Sequence, residues 1–466
     1  MKNIRIGQKE IIHFIGIGGI GMSGLAQVMK TMGFKIQGSD QNKNKSTINC
    51  SKAGIKIFIK HNRKNVKNAT IIVRSSAITE NNLEIREAKK RKIPIYSRAE
   101  VLANVVSLKK NIIITGSHGK TTTTSLVAKI LSDRRLDPTI INGGVINSFK
   151  SNAKLGKGEW AILEADESDG SFLKLPINYS IVTNLDFEHI DYYKNFKNLE
   201  NAFIQFINKT PPIGKSLICL DNKNIQNILK KIKNKNILTY GFHKDANYKI
   251  SNARYFIDNT IFDLNYTNSI NKKKVKIKNI NVKLIGKHNV LNASAAISVC
   301  LNLGIKINII KNALKNFSGV QRRMTKLFKK NKNEFFDDYA HHPTEIISVL
   351  DGVSKVYKNR KIISVFEPHR YSRIMSLKKA FSKSFINSDL VLMCPIYAAG
   401  ERKNSKFNLL NFAKMISKNS KTKVIMVKDQ KELSIFLKKN LISNEIIIGM
   451  GAGTISQWMR DLKYSL

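Results

Sequence analysis

The sequence predicts three α/β domains, each a largely parallel sheet wrapped by helices. Short β-branched runs alternate with helical patterns along the chain, and the pattern restarts near residues 108 and 320. Glycine-rich turns directly follow the first strand of each of the first two blocks. The length of 466 residues agrees, since domains average roughly 150 residues.

In the first block, Ile11–Ile15 reads as a strand, 22–32 as a helix, and Lys35–Gln37, Ile55–Ile59 and Ile71–Arg74 as further strands. In the second, the strand Asn111–Thr115 leads through a glycine turn into a helix over Thr121–Ser132. Strands follow at Trp160–Glu164, Tyr179–Asn184 and Ser216–Leu220. The alternating stretch 247–285 reads as antiparallel strands, and 289–301 as a helix. The third block carries strands at Lys361–Phe366, Leu390–Cys394, Lys423–Val427 and Glu445–Gly449. The domains expected are therefore 1–107 (Rossmann-like), 108–319 (a P-loop α/β domain) and 320–466 (Rossmann-like).

Composition narrows the function classes. Hydrophobic residues make up 42% and charged residues 24%, which excludes wholesale disorder. The net charge of +47 is spread along the chain, as in 228–236 and 271–278, so it reads as surface lysine bias and not as a specific nucleic-acid stripe. Four distant cysteines without a Cys-x-x-Cys argue against a disulfide framework or zinc site and for a reducing cytoplasm. The basic start before a short apolar run resembles a signal peptide only faintly, because Glu10, His13 and the glycines interrupt it. No stretch approaches the length of a membrane span, so no membrane insertion is expected.

Four motif groups carry chemistry. Gly16-Ile17-Gly18-Gly19-Ile20-Gly21, with Asp40 ending the second strand, matches a dinucleotide-type diphosphate cradle. Glycines let backbone approach a diphosphate, and the following helix N-terminus favours its charge. Read alone, this motif points to an NAD-dependent oxidoreductase. Thr115-Gly116-Ser117-His118-Gly119-Lys120-Thr121-Thr122 has the Gly-Lys-Thr core of a P-loop, with its first glycine closer than the usual spacing. Lys120 is suited to phosphate oxygens and the Thr121 hydroxyl to Mg2+. A hydride-transfer enzyme has no use for this second loop. Glu164-Ala165-Asp166-Glu167-Ser168 and Asn184-Leu185-Asp186-Phe187-Glu188-His189 end later strands, where carboxylates face the ligand crevice and suit Mg2+. In the third block, Arg322-Arg323, Asp337-Asp338-Tyr339-Ala340-His341-His342 and Glu367-Pro368-His369-Arg370-Tyr371-Ser372-Arg373 suggest recognition of anionic groups. Gly449-Met450-Gly451-Ala452-Gly453-Thr454 reads as a tight turn after a strand.

In this order the motifs resemble the muramyl (Mur) ligase family over essentially the full chain. The segments GIGGIGMSGLA, GSHGKTTT, EADESD, DDYAHHPTE, PHRYSR and GAGTI carry the resemblance. It implies ATP-dependent amide synthesis through an acyl phosphate, joining L-alanine to the lactyl carboxylate of UDP-N-acetylmuramate, with ATP and Mg2+ required. A related activity, attachment of a preformed tripeptide to the same sugar nucleotide, is the alternative. By resemblance, Gly16, Gly18, Gly19, Gly21, Asp40 and Ser76 face the UDP-sugar. Gly116, Ser117, His118, Gly119, Lys120, Thr121, Thr122, Asn289, Asn292, Arg323 and Asp338 face ATP. Catalytic roles fall to Lys120, Glu164, His189, Arg323 and Asp338, and Thr121, Glu164 and His189 are the metal ligands implied. Tyr339, His341, His369, Arg370 and Arg373 fall where the family holds the amino acid and the substrate carboxylate. His341 or His189 could assist deprotonation of the amine. Ser117 stands where Thr is commoner and Glu367 where Gln is expected. The segment 199–207 lacks the carbamylated lysine of several relatives, which supports the alanine-adding branch. A cytoplasmic bacterial enzyme, monomeric or homodimeric, is the expectation.

Overall fold

The computed structural model describes residues 7, 9–268, 271–402, 404 and 407–466; the basic opening at 1–6 lies outside them. Five strands form the first sheet: β1 (Ile11–Ile15), β2 (Lys35–Asp40), β3 (Lys56–Ile59), β4 (Ile71–Arg74) and β5 (Ile95–Ser97). Their order is β3-β2-β1-β4-β5, with every pair parallel. Parallel strands need crossovers, and the helices Ile20–Thr31, Lys45–Lys52 and Leu83–Lys90 supply them. The order reverses between β1 and β4, so the glycine turn after β1 opens at the point where such sheets leave a crevice.

The second sheet has ten strands: β6 (Lys110–Thr115), β7 (Thr139–Ile146), β8 (Ser151–Lys154), β9 (Trp160–Glu164), β10 (Tyr179–Val182), β11 (Lys215–Cys219), β12 (Ile237–Gly241), β13 (Tyr248–Tyr255), β14 (Thr260–Thr267) and β15 (Lys274–Val282). They run in the order β15-β14-β13-β12-β11-β10-β6-β9-β7-β8. β6 lies between β10 and β9, parallel to both. Ile112, Ile113 and Ile114 of β6 are fully buried, as a strand covered on both faces requires. The ends of β6, β9 and β10 therefore carry their loops to one edge. β13, β14 and β15 are joined by links too short for parallel crossovers, as the alternating pattern predicts.

The third sheet contains β16 (Thr325–Lys330), β17 (Asn333–Asp338), β18 (Ile362–Phe366), β19 (Leu390–Met393), β20 (Lys423–Met426) and β21 (Ile446–Met450), in the order β16-β17-β21-β18-β19-β20. Only β16 pairs antiparallel, with β17. Asn331 and Lys332 turn that hairpin with φ of 48° and 63°, the left-handed pair that a two-residue hairpin loop needs.

The first two sheets share one compact body, made of the chain to Ala253, Ile261–Val282 and Val290–Ser318. Within it, the helix Ile20–Thr31 packs on β7 and β8, and Asn152 Nδ2 donates to the Ile20 carbonyl at 2.8 Å. One apolar cluster runs from Leu25 and Met29 through Ile141 and Leu163 to Phe203 and Phe206. The third sheet belongs to a second body, Gly319–Leu466 with the segments Arg254–Thr260 and Lys283–Asn289. All four cysteines are free and buried. Among the described residues, no helix is long and apolar enough to cross a membrane.

Candidate active site

The turn between β6 and the helix Lys120–Asp133 is built by two glycines in backbone regions that side chains avoid. Gly116 has φ of 131° and Gly119 of 82°. Their surroundings are as restrictive as their dihedrals: a Cβ on Gly116 would lie 2.1 Å from Thr183 Oγ1, and one on Gly119 2.4 Å from Asn292 Oδ1. The segment after β10 holds the loop. His118 N–H donates to Asn184 Oδ1 at 2.7 Å, Thr183 Oγ1 donates to the His118 carbonyl at 2.6 Å, and Ser117 Oγ accepts from Asp186 N–H at 2.9 Å. Asn292, on the helix Lys287–Asn302, accepts from Thr123 Oγ1 at 3.3 Å. Thr183 and Asn184 had no assigned role from sequence, because they are ordinary polar residues until the sheet order sets β10 beside β6.

Lys120 lies at the centre of this edge. Its ammonium donates to Glu167 Oε1 at 3.0 Å and to the Gly116 and Ser117 carbonyls at 2.5 and 3.2 Å. Burial acts to lower the Lys120 pKa, but the Glu167, Asp166 and Glu164 carboxylates override it and hold the group firmly protonated. Glu167 is likewise kept ionised: its burial favours the neutral acid, while Lys120 and His189 pull its pKa down. His189 is raised, its burial opposed by Glu167 and Glu188, at 3.4 and 3.8 Å.

The three implied metal ligands fall into two groups. The Thr121 hydroxyl donates to Glu164 Oε1 at 3.0 Å, and Glu164 Oε2 accepts from Gly143 N–H at 2.6 Å. His189 stands with Glu167 and Glu188, whose donor atoms all lie within 4.8 Å of one another. The carboxylates and the hydroxyl are hard oxygen donors that fit Mg2+, and the borderline imidazole of His189 stands beside them. Glu167 is the residue sequence reasoning passed over; it lay inside a quoted acidic motif, but nothing in its spacing told it from Asp166.

At the first glycine turn, Gly18 N–H donates to Asp40 Oδ2 at 2.8 Å, and Asn44 Nδ2 donates to the Gly18 carbonyl at 3.3 Å. A Cβ on Gly18 would meet Asn44 Nδ2 at 2.6 Å and Asp40 Oδ2 at 2.7 Å. Asp40 thus lines the glycine turn, as its position at the end of β2 predicts. Gly21 faces Arg98, whose Nη1 would lie 2.9 Å from an added Cβ. Gly16 and Gly19 shape the turn itself through the Gly19 N–H to Gly16 carbonyl bond of 3.3 Å. Ser76 follows β4 in the adjoining turn.

In the second body, Asp338 ends β17 with only 3% exposure and accepts from the N–H groups of Met324 and Ala340 at 2.7 and 2.8 Å. Burial raises its pKa to about 6 against the pull of Arg323. The Arg322 and Arg323 guanidinium groups lie 4.7 and 5.4 Å from the Tyr339 ring centre. Tyr339, His341 and His369 follow one another at ring separations of 5.1 and 5.5 Å, and His369 stacks on Tyr397 at 5.4 Å. Arg373 Nη1 donates to His369 Nδ1 at 3.1 Å.

Burial, with Arg373 nearby, pushes His341 down to about 3 and His369 to about 4, so both rings are uncharged at neutral pH. His341 Nδ1 donates to the Tyr339 carbonyl at 2.8 Å, which leaves Nε2 as the unprotonated ring nitrogen. Arg370 turns instead to Glu401, 2.6 Å away. Glu367 is buried at the N-terminus of the helix Ile455–Ser465 and accepts the Thr454 N–H at 3.0 Å. The glycine segment read as a tight turn is split: Gly449 and Met450 are the end of β21, and only Gly451–Thr454 make the turn. Asn289 lies in the first turn of the helix Lys287–Asn302, its Nδ2 donating to the Ile285 carbonyl at 2.8 Å. The helix expected to lack lysine spans Phe196–Asn208 and includes Lys197, which is exposed.

Residues 11–110 match the family model "Mur ligase family, catalytic domain", residues 114–300 the "Mur ligase middle domain", and residues 322–453 the "Mur ligase, glutamate ligase domain". The UDP-N-acetylmuramate–L-alanine ligase of Pelagibacter ubique is 55% identical over 98% of this chain and 99% of its own length. That of Rhizobium etli is 39% identical over 98% and 97%. Among solved structures, the UDP-N-acetylmuramate-alanine ligase of Thermotoga maritima aligns with a TM-score of 0.81 at 28% identity, covering 98% of both chains. A murein peptide ligase from Psychrobacter arcticus shares the fold, with a TM-score of 0.73 at 21% identity.

Proposed function

The chain belongs to the Mur ligase family, and on that premise we propose that it joins L-alanine to the lactyl carboxylate of UDP-N-acetylmuramate while ATP is converted to ADP and phosphate. The observation that carries this is the full-length 55% identity to an enzyme of that name. It also favours L-alanine over a preformed tripeptide and leaves an NAD-dependent oxidoreductase without support. We take 1–107 as the sugar-nucleotide domain, 108–319 as the ATP domain and 320–466 as the amino-acid domain.

A carboxylate is a poor acyl donor, because its charge repels nucleophiles and oxide does not leave. A lactyl carboxylate oxygen attacks the γ-phosphorus of ATP, the bond to ADP breaks, and an acyl phosphate forms. Two anions must meet, and Lys120, firmly protonated at the centre of the P-loop edge, offsets their repulsion. Gly116, Ser117, His118, Gly119, Thr121 and Thr122 form the loop around the phosphates, with Asn292 against it. Thr121, Glu164 and His189 would hold Mg2+, which supplies further charge neutralisation when bound. The alanine amine then attacks the acyl carbon and phosphate leaves. In the C-terminal domain, Arg370 and Arg373 are suited to carboxylates, while Tyr339, His341 and His369 shape the pocket as uncharged rings. Arg323 and Asp338 serve ATP from that domain, and Asn289 serves it from the helix start.

Phosphate release from purified protein tests this reading. Release should require ATP, the sugar nucleotide and L-alanine together, and release that persists without the sugar nucleotide would remove it. A second expected outcome concerns the first cradle. Gly18→Val should raise the KM for the sugar nucleotide by about tenfold or more, because the new side chain displaces Asp40 and Asn44 from the turn. Steady-state kinetics with ATP and alanine saturating would read it.

A further inference from the structure

Beneath the first glycine turn lies a buried polar knot that the reaction above does not use. Glu84, on the helix Leu83–Lys90, has no solvent exposure, yet it collects donors from three neighbouring strands or the turns after them. Its Oε2 accepts from Ser39 Oγ on β2 at 2.5 Å, from His61 Nδ1 after β3 at 3.2 Å and from His13 Nε2 on β1 at 3.4 Å. Its Oε1 accepts from Asn65 Nδ2 at 2.6 Å and from the Asn62 N–H at 3.2 Å. Gln37 Nε2 donates to His13 Nδ1 at 3.2 Å, which leaves the His13 Nε2–H for Glu84.

An acceptor-only group suits this position, because every neighbour is a donor. Burial opposes the charge, but the bonds from His13, His61 and Ser39 hold Glu84 ionised, below the usual carboxylate range. The knot continues directly into the cradle. The Ser39 carbonyl accepts the N–H groups of Gly16 and Ile17 at 2.9 and 3.0 Å, and the next residue, Asp40, accepts from Gly18. Lys60 N–H, one residue before His61, donates to the Asp40 carbonyl at 2.8 Å. One carboxylate therefore fixes β2 and the turn after β3, which between them fix the glycine turn.

We propose that Glu84 is a positioning residue for sugar-nucleotide binding, holding Ser39 and the His61–Asn65 turn so that the Gly16–Gly21 turn and Asp40 keep the shape the nucleotide needs. This rests on the reading that the N-terminal domain holds the sugar nucleotide.

The test is steady-state kinetics of the full-length enzyme carrying Glu84→Gln, Ser39→Ala or Gly18→Val. Glutamine keeps the size but turns an N–H2 toward other donors. Glu84→Gln should raise the KM for UDP-N-acetylmuramate by roughly tenfold or more, with kcat and the KM for ATP within about twofold. Ser39→Ala removes a single bond to the carboxylate; it should move the same KM in the same direction by less, and it carries the test if Glu84→Gln does not fold. A fall in kcat with that KM unchanged, or equal rises in both KM values, would mean a purely structural role and overturn the proposal. If Gly18→Val raises the KM while Glu84→Gln and Ser39→Ala do not, the proposal falls and the nucleotide site stands. If none of the three moves it, the nucleotide site itself is misplaced.

Discussion

Lys120→Ala is expected to lower kcat by about a hundred- to a thousandfold, the usual effect of removing one preorganised positive donor from a charge-developing transition state. Sugar-nucleotide affinity should stay within about twofold, since the Gly16–Gly21 turn lies on a different sheet. The same substitution has a second consequence. Glu167 is 1% exposed and would lose its Lys120 partner while keeping His189 at 3.4 Å, so the folded state should lose stability as well. Breaking a buried pair from one side typically costs about 3–5 kcal/mol. Lys120→Ala combined with Glu167→Gln should recover most of the thermal stability and none of the turnover. Calorimetric binding of the sugar nucleotide, kcat and a melting curve for each variant separate the two effects; equal loss of both substrates' binding would contradict the assignment of the loop.

Gly116→Ala should have an effect of similar size by a different route. The backbone there has φ of 131°, and the added Cβ would lie 2.1 Å from Thr183 Oγ1 and 2.9 Å from the Asn184 carbonyl oxygen. Left-handed strain costs about 1–3 kcal/mol, and the contact adds to it, because Thr183 is already committed to the His118 carbonyl. The loop must move away from the segment 183–186, which carries His118 and Ser117 with it. ATP binding should weaken by about tenfold or more while sugar-nucleotide binding persists. Nucleotide titration of the purified variant reads this, and unchanged ATP affinity would show that the loop does not hold the phosphates.

Much of the scaffold was legible in the sequence wherever a strand is buried on both faces. β1, β4 and β9 appear with the bounds that their apolar runs predict, because such runs end abruptly at polar or glycine residues. Several strands escaped notice, among them the short β5 and β12, β17, and strands whose residues also suit turns or surfaces. β7 contains Asn142-Gly143-Gly144, which reads as a turn. β8 is the polar edge Ser151–Lys154, and the β16–β17 hairpin turns on Asn331-Lys332 without a glycine. At the candidate site, the placement announced by a motif was legible: Lys120 and Thr121 open the helix after β6, Glu164 ends β9, and His189 lies in the segment after β10. Residues whose role comes from neighbours distant in sequence were not. Glu167 reaches Lys120 across 47 positions and Glu84 reaches Ser39 across 45, and no local pattern carries either pairing. Arg370 was legible in part: its motif suggests an anion-binding group, but nothing local predicts that its Nε donates to Glu401, 31 positions on.

The central claim is that the loop around Lys120 transfers phosphate onto the substrate carboxylate before the amide forms. UDP-N-acetylmuramate labelled with heavy oxygen in its lactyl carboxylate tests this most directly, with the released phosphate examined by mass spectrometry after a single turnover with ATP and L-alanine. The account predicts one labelled oxygen carried into the phosphate. Phosphate free of label, with the displaced heavy oxygen released to water, would contradict it.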